Sequence, residues 1–554
     1  MKNFIYIYFF LFSINTFSQV SPDKYFIEFT DKNNTGFSIE HPDKFLTQRA
    51  LERRHKQNIP VDNLDLPVNN EYIDSLKKLG LEILNISKWF NSVTVYTTNK
   101  ELIDTITKIS FVKSVLVPSN ISLEGKSFDD NTFLNKRGDV KKSISSNYYD
   151  YGESQDQIFI NNGQYLHNDG FRGKGMLIAI TDAGFSYLPD LPSFDSIYAE
   201  NRVITTRNFV RGGDFVYDYS THGMKVFSIL AGNYPGYLIG SAPEASYLLL
   251  MTEDPGSETY IEEINWISAA EFADSLGVDV INVSLGYVSF DTPEFSHNYS
   301  DMDGKTAIIS RAATIAARKG IIVVSSAANS GNSSTHPWIA APGDADSILT
   351  VGAIGFDKKY ASFSSIGPSA DGRVKPDVMA MGQATALQEI NGSVGRGNGT
   401  SFSSPVIAGL TACLWQKFPE RSNIEIINAI RIASDSYYLP SDSMGYGIPD
   451  FKLAAMILEI LTVIPGLEND AFYVFPNPFT DTIEIKINNA PGDRIKISVT
   501  DLSGRVIYND DKYIVAETYD LRLTINDLDK LPKGIYIVTL TINNQKYSKK
   551  IIKG

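Results

Sequence analysis

MLIAITDAGF, residues 176–185, is an unbroken apolar run that ends on Thr181 and Asp182 and turns at Ala183-Gly184. A strand with one wet face alternates polar and apolar residues, whereas a strand buried on both faces does not. Four more runs share this character: ASYLLLM (245–251), VDVINVSLG (278–286), IIVVSSAANSG (321–331) and ILTVGAI (348–354). Helical patterns lie between them, such as YIEEINWISAAEFADSLG (260–277) and AIISRAATIAARKG (307–320), each stopping at a Gly just before the next strand. Residues 150–460 therefore read as a doubly wound α/β domain around a parallel sheet. In such a sheet the site lies outside the carboxyl ends of the strands.

The flanks differ. Lys2, the apolar stretch FIYIYFFLFSI and the small residue Ser18 read as a secretory signal, residues 1–18, cut before Gln19. Residues 19–118 read as a small α/β unit, with helices expected over Pro42–Lys56, Asn70–Leu79 and Glu101–Ile109 and strands at Ser92–Thr98 and VKSVLVP (112–118). Residues 119–149 are polar and hold Lys136-Arg137 and Lys141-Lys142, which reads as an exposed linker. A second linker is expected at 461–470. Residues 471–554 alternate with period two between short turns, the pattern of a small all-β sandwich.

Composition narrows the class. A net charge of −14 argues against nucleic-acid binding, which needs a basic surface. Cys413 is the single cysteine, so no intramolecular disulfide forms; in the apolar run TACLW it reads as a buried, inert thiol. After the signal, no apolar run reaches about 18 residues, so no spanning segment is expected in the mature chain. GSVGRGNGTS (392–401) lacks the Lys of a phosphate loop, and His167, His297 and His336 sit in no HExxH pattern. DMDGK (301–305) and GDADS (343–347) are too short for a complete calcium loop.

Three segments place a reactive side chain at a strand end or a helix start: Asp182 after its apolar strand, His222 in THGMKVFSILAG (221–232) and Ser401 in NGTSFSSPVIAG (398–409). Each alone is an ordinary cap or turn residue. Together they supply a carboxylate to orient an imidazole and an imidazole to take the proton of a hydroxyl.

In the order Asp, His, Ser these segments resemble the subtilisin-like serine peptidases, over roughly residues 150–460. The motifs are Asp182-Ala183-Gly184-Phe185, His222-Gly223 and Gly399-Thr400-Ser401-Phe402-Ser403-Ser404-Pro405, with Ser403 where the family usually has Ala. The resemblance implies a secreted endopeptidase that works through an acyl-enzyme, with Asp182, His222 and Ser401 as its triad. It implies Asn329 as oxyanion donor beside the Ser401 N–H, although Ala328 replaces the family's Gly and Asn332 is a weaker candidate. It makes Ser284, Leu285 and Gly286 the strand that binds substrate. The chemistry requires no cofactor; structural calcium occurs in the family, and the sequence does not place it.

SKWFNSVTVYTT (87–98) followed by ISFVKSVLVP (109–118) resembles the inhibitory propeptides of these peptidases. FPNPF (475–479), LSGRVIY (502–508), LPKGIYIV (531–538) and KYSKKIIKG (546–554) resemble the type A sorting domain of the Bacteroidetes type IX secretion system. The implied partners are protein or peptide substrates, the chain's own propeptide and the type IX machinery. The implied destination is the cell surface or medium, through the periplasm. The rival reading is a catalytically inactive, peptidase-like surface binding protein. It sits poorly with a chain that keeps all four catalytic side chains.

Overall fold

The computed structural model describes residues 23–116, 147–463 and 472–553, apart from 477–478, 488–492, 511–513, 516–520, 527 and 544. The expected signal, most of both expected linkers, Val117 and Pro118, and Asn477-Pro478 of FPNPF lie outside the described residues.

Seven parallel strands form the central sheet: β1 (Leu177–Asp182), β2 (Val203–Asn208), β3 (Ser246–Met251), β4 (Val280–Val283), β5 (Ile322–Ser326), β6 (Leu349–Ile354) and β7 (Val378–Met381). Their order is β7-β6-β5-β4-β1-β3-β2. Every residue of β1, β4, β5, β6 and β7 is buried, as continuous apolar runs require. The sequence runs revealed five of the seven strands. β2, VITTRN, escaped because it is an edge strand with Ile204 exposed, and β7, VMAM, because it is short.

Four helices position the site and its surroundings: α1 (His222–Ala231), α2 (Ile261–Leu276), α3 (Ile308–Arg318) and α4 (Thr400–Lys417). α1 packs on α4, α4 packs across β4 to β7, and α2 packs on α3. α1 is buried along its whole length, so its apolar sequence is a core requirement rather than an amphipathic face.

The N-terminal unit is a four-stranded antiparallel sheet, ordered Glu82–Ser87, Ser92–Tyr96, Lys24–Phe29, Val112–Leu116, with helices Gln48–Lys56, Asn70–Lys78 and Lys100–Ile106. Tyr25, Ile27, Val93, Val95, Ile73 and Leu76 build its own core. Phe26 and Trp89 instead join the core cluster that holds Ile267 and Ala270 of α2.

Charge reinforces this docking. Asp274 of α2 receives Arg53 (Nη2 to Oδ1, 2.6 Å), Arg54 (Nη2 to Oδ2, 2.8 Å) and Lys88 (3.1 Å). Lys319 pairs in the opposite sense, with Asp65 (2.9 Å) and Asp62 (2.8 Å) of the N-terminal unit. Burial alone would raise Asp274, but Lys88, Arg54 and Arg53 hold it well below the usual carboxylate range. Beside it, Glu271 accepts hydrogen bonds from the Ser87 hydroxyl (2.5 Å) and the N–H groups of Lys88 (2.6 Å) and Trp89 (3.0 Å).

The chain divides by packing between Ile457 and Leu458. The helix Phe451–Val463 continues into the expected linker 461–470. The C-terminal unit has one sheet of Phe472–Phe475, Ile483–Ile487 and Leu521–Ile525 and another built on Arg494–Asp501, Gly534–Ile542 and Gln545–Lys553. Ile483, Ile485, Ile495, Ile497, Val538 and Leu540, from both sheets, share one core, as a sandwich requires.

Removing one partner from a buried ion cluster strands the others, at about 3–5 kcal/mol. Asp274→Ala in a chain starting at residue 147 should therefore weaken binding of a separate 20–118 chain at least about a hundredfold. Calorimetric titration reads this, and a change below threefold would show that the cluster does not hold the interface.

Candidate active site

Asp182 ends β1, whose neighbours are β3 on one side and β4 on the other. The strand order reverses there, which opens a crevice at the carboxyl end of the sheet. α1 starts directly on it. A Cβ added to Gly223 would stand 2.4 Å from the Gly184 carbonyl oxygen and 3.0 Å from Asp182 Cβ, so this approach requires glycine. The contact brings His222 Nδ1 to 2.8 Å from Asp182 Oδ1. The same oxygen accepts the Ala183 N–H at 2.8 Å, and Asp182 is fully buried. The Phe402 ring lies against the imidazole, with centroids 5.9 Å apart.

Ser401 is the second residue of α4, after Gly399 at φ 154° and ψ 149°, a backbone region open essentially to glycine. Pro405, inside the same helix, has no N–H to give to the carbonyl of Ser401 four residues back. That carbonyl accepts the Ser284 hydroxyl instead, at 2.9 Å, and the Ser401 hydroxyl donates to the Ser284 carbonyl at 3.1 Å. Ser284 is held in turn: the Asn282 amide donates to its hydroxyl at 3.0 Å, and the Ser404 hydroxyl donates to Asn282 Oδ1 at 2.9 Å.

Asn282 was not singled out from the sequence, and Ser404 entered only as a position of the Ser401 motif, without a role. The available signal was an amide inside VINV, since a buried polar side chain on a core strand needs a partner. Ser403 needs no accommodation, because its hydroxyl donates to the Thr400 carbonyl at 3.0 Å.

Asn329 Oδ1 accepts both the Thr400 N–H (2.8 Å) and the Thr400 hydroxyl (2.9 Å). With its oxygen anchored there, the network assigns the amide NH2 to the other side. His222, Asn329, Ser401, Ser284, Leu285 and Gly286 line one cleft of about 400 Å³, with Asp182 buried behind His222. Asn332 does not line it. Ala328 takes φ +81°, the left-handed region that the glycine it replaces would enter freely.

Other candidates for chemistry are absorbed by the structure. Cys413 is buried, burial raises its thiol, and it donates to the Ser241 carbonyl at 3.3 Å. His167 is held between the Tyr151 hydroxyl (2.8 Å) and the Ser241 carbonyl (3.0 Å), and His297 Nε2 meets Glu263 at 2.6 Å.

Over 281 residues the chain is 32% identical to Subtilisin DY of Bacillus licheniformis, a match covering 50% of this chain and 89% of that protein. The chain belongs to the subtilase family. The model of that family matches residues 173–447, that of the Peptidase S8 propeptide domain, Bacteroidota, matches 24–132, and that of the secretion system C-terminal sorting domain matches 473–554. Subtilisin NAT of Bacillus subtilis subsp. natto is 31% identical over 285 residues, covering 51% of this chain and 65% of that one. The solved structure of the prenylagaramide maturation protease PagA aligns with 53% of this chain and 98% of its own, at 20% identity and a TM-score of 0.43. This subtilase is a serine-type endopeptidase with a propeptide domain before the peptidase domain and a sorting domain after it.

An alanine held in left-handed backbone loses about 1–2 kcal/mol, and glycine gives back roughly half of that through its freer unfolded chain. Ala328→Gly should thus leave the melting temperature unchanged or slightly raised. The β-branched Ala328→Val should lower stability by about 2 kcal/mol. Thermal unfolding of both variants tests the strain; an Ala328→Val protein as stable as the parent would refute it.

Proposed function

We propose that this subtilase cleaves peptide bonds through Asp182, His222, Ser401 and Asn329, and that it is exported as an inhibited precursor. The observation that carries the reading is the 2.8 Å contact of His222 Nδ1 with a fully buried Asp182, beside a cleft shared by His222, Ser401 and Asn329.

The roles follow from the geometry. Asp182 holds His222 in the tautomer with its proton on Nδ1, which leaves Nε2 as base, and stabilises the imidazolium that forms. The Ser401 hydroxyl leaves the Ser284 carbonyl, gives its proton to His222 Nε2 and attacks the substrate carbonyl. His222 then returns the proton to the leaving amine, and water repeats the sequence on the acyl-enzyme. The Asn329 amide and the Ser401 N–H donate to the oxyanion. Ser284, Leu285 and Gly286 receive the substrate as an added strand. A group that acts on a charge developed only in the tetrahedral state works on kcat more than on KM.

Ser401→Ala should lose labelling by a fluorophosphonate and all but residual hydrolysis, because triad members act as a unit. Asn329→Ala should lower kcat about 10²–10³-fold with little change in KM, the magnitude being that of the equivalent loss in subtilisin. Near-normal turnover of Ser401→Ala in a steady-state peptide assay would sink the triad assignment. A raised KM at constant kcat would make Asn329 a binding residue.

The propeptide covers α2. We assign it the role of inhibitor until it is cleaved. The C-terminal sandwich carries none of the four proposed catalytic side chains, has its own core and matches the secretion system C-terminal sorting domain, so we assign it the role of export address. Deleting residues 471–554 should leave specific activity intact and strand the enzyme in the periplasm. Fractionation of the host, with activity assayed in periplasm, surface and medium, reads the outcome; normal arrival outside would turn the sandwich into a substrate-binding module.

A further inference from the structure

The cleft that holds Ser401 carries two carboxylates that the reaction does not use. Glu253 and Glu258 line it with His222, Leu285 and Gly286, and among the described residues no Lys or Arg lines it. Both glutamates are nearly buried, at 3% and 7% exposure. They stand on the loop after β3, which is tied to the loop after β4. The Tyr287 hydroxyl donates to Glu253, the Asp291 N–H donates to the Glu258 carbonyl at 2.8 Å, and the Glu258 N–H donates to Asp291 Oδ2 at 3.0 Å. The first bond holds the Glu253 carboxyl group, and the other two hold the Glu258 backbone, in the wall beside the segment proposed to pair with substrate.

A third carboxylate, Glu262 of α2, stands behind them and accepts the N–H groups of Asp254 and Thr259, each at 2.9 Å. Burial first, and then repulsion from Glu258, raise Glu253 to about 8; burial and repulsion from Glu253 and Glu258 raise Glu262 as well. Acidic groups crowded this way are relieved by a cation.

One cation of the propeptide lies near this cluster. Lys24, 4% exposed, donates to the Val210 carbonyl at 2.8 Å; burial lowers its ammonium to about 8, against the opposing pull of Asp254 and Glu262. When the propeptide leaves, that ammonium leaves with it. The cluster is then bordered by an open cleft in which the incoming group is a peptide.

We propose that Glu253 and Glu258 make the cleft select extended peptides that place a lysine or arginine side chain at one of the cleft-bound positions. The inference rests on the peptidase reading and names its substrate class. A guanidinium or ammonium in the wall favours the ionised form of glutamates that are already desolvated and makes charge-assisted hydrogen bonds with it, and an acidic cleft draws a cationic peptide in. A glutamate in the same place adds a further like charge.

The test uses the mature enzyme and quenched-fluorescent peptides carrying Lys, Arg, Met, Gln or Glu in turn at each position around the cut. At one position kcat/KM should be at least about tenfold higher for Lys or Arg than for Met or Gln, lowest for Glu, and this ratio should shrink as salt is raised. In the Glu253→Gln, Glu258→Gln double variant the ratio should fall below about threefold. Taking the ratio within each preparation cancels any loss of folded enzyme. A wild-type ratio within twofold at every position overturns the proposal, as does a ratio unchanged in the double variant. An enzyme that cleaves no peptide and takes no fluorophosphonate overturns the peptidase reading and this inference with it. One that cleaves without regard to charge overturns this inference alone.

Discussion

The arrangement hangs on a carboxylate placed where water cannot reach it. Asp182 is fully buried at the end of a central strand, and a buried charge persists only when paired and hydrogen-bonded. Its partners are the His222 imidazole and the Ala183 N–H, and it meets the first only because Gly223 lets a helix end rest on the strand. Packing and polarity thus impose one condition together: the helix sits flush with the sheet, or the carboxylate loses its imidazole. The reversal of strand order at β1 opens the space that this pair faces.

The second polar system of the molecule is built on a different plan. Arg53, Arg54 and Lys88 converge on Asp274, while Asp62 and Asp65 reach Lys319. Each side of the interface gives charge of both signs, so an unrelated basic or acidic surface satisfies only half of it. Such crossing favours the cognate pair over other partners more than it adds affinity. The apolar contacts of Phe26 and Trp89 supply burial without that selectivity.

Much of this was legible in the sequence, and the rest was not for identifiable reasons. Continuous apolar runs disclosed the central strands, but β2, polar along an exposed edge, carries no such run. The motifs around Asp182, His222, Asn329 and Ser401 named side chains that the fold does bring together. Asn282 was hidden because an uncharged polar residue inside an apolar run is common and its partner Ser404 is distant in the chain. RALERRHK (49–56) is a charged stretch of the helix expected over Pro42–Lys56. Its arginines Arg53 and Arg54 are buried at 5% and 1% exposure, because the carboxylate that receives them lies some 220 positions further along. The Ala328 substitution was visible as a departure from the family, but its left-handed backbone was not.

A proline inside a helix is ordinarily a defect, since it silences one rung of the hydrogen-bond ladder. In α4 the silenced rung belongs to Ser401, and the freed carbonyl is taken up by Ser284, just past the end of β4. The helix therefore yields its own claim on that residue to the sheet. One strand end then acts as a common ruler: the edge along which a peptide would be laid also sets the height at which the serine backbone stands. A shift of that strand moves both by the same amount, so their spacing survives a breathing motion that would separate two independently anchored parts.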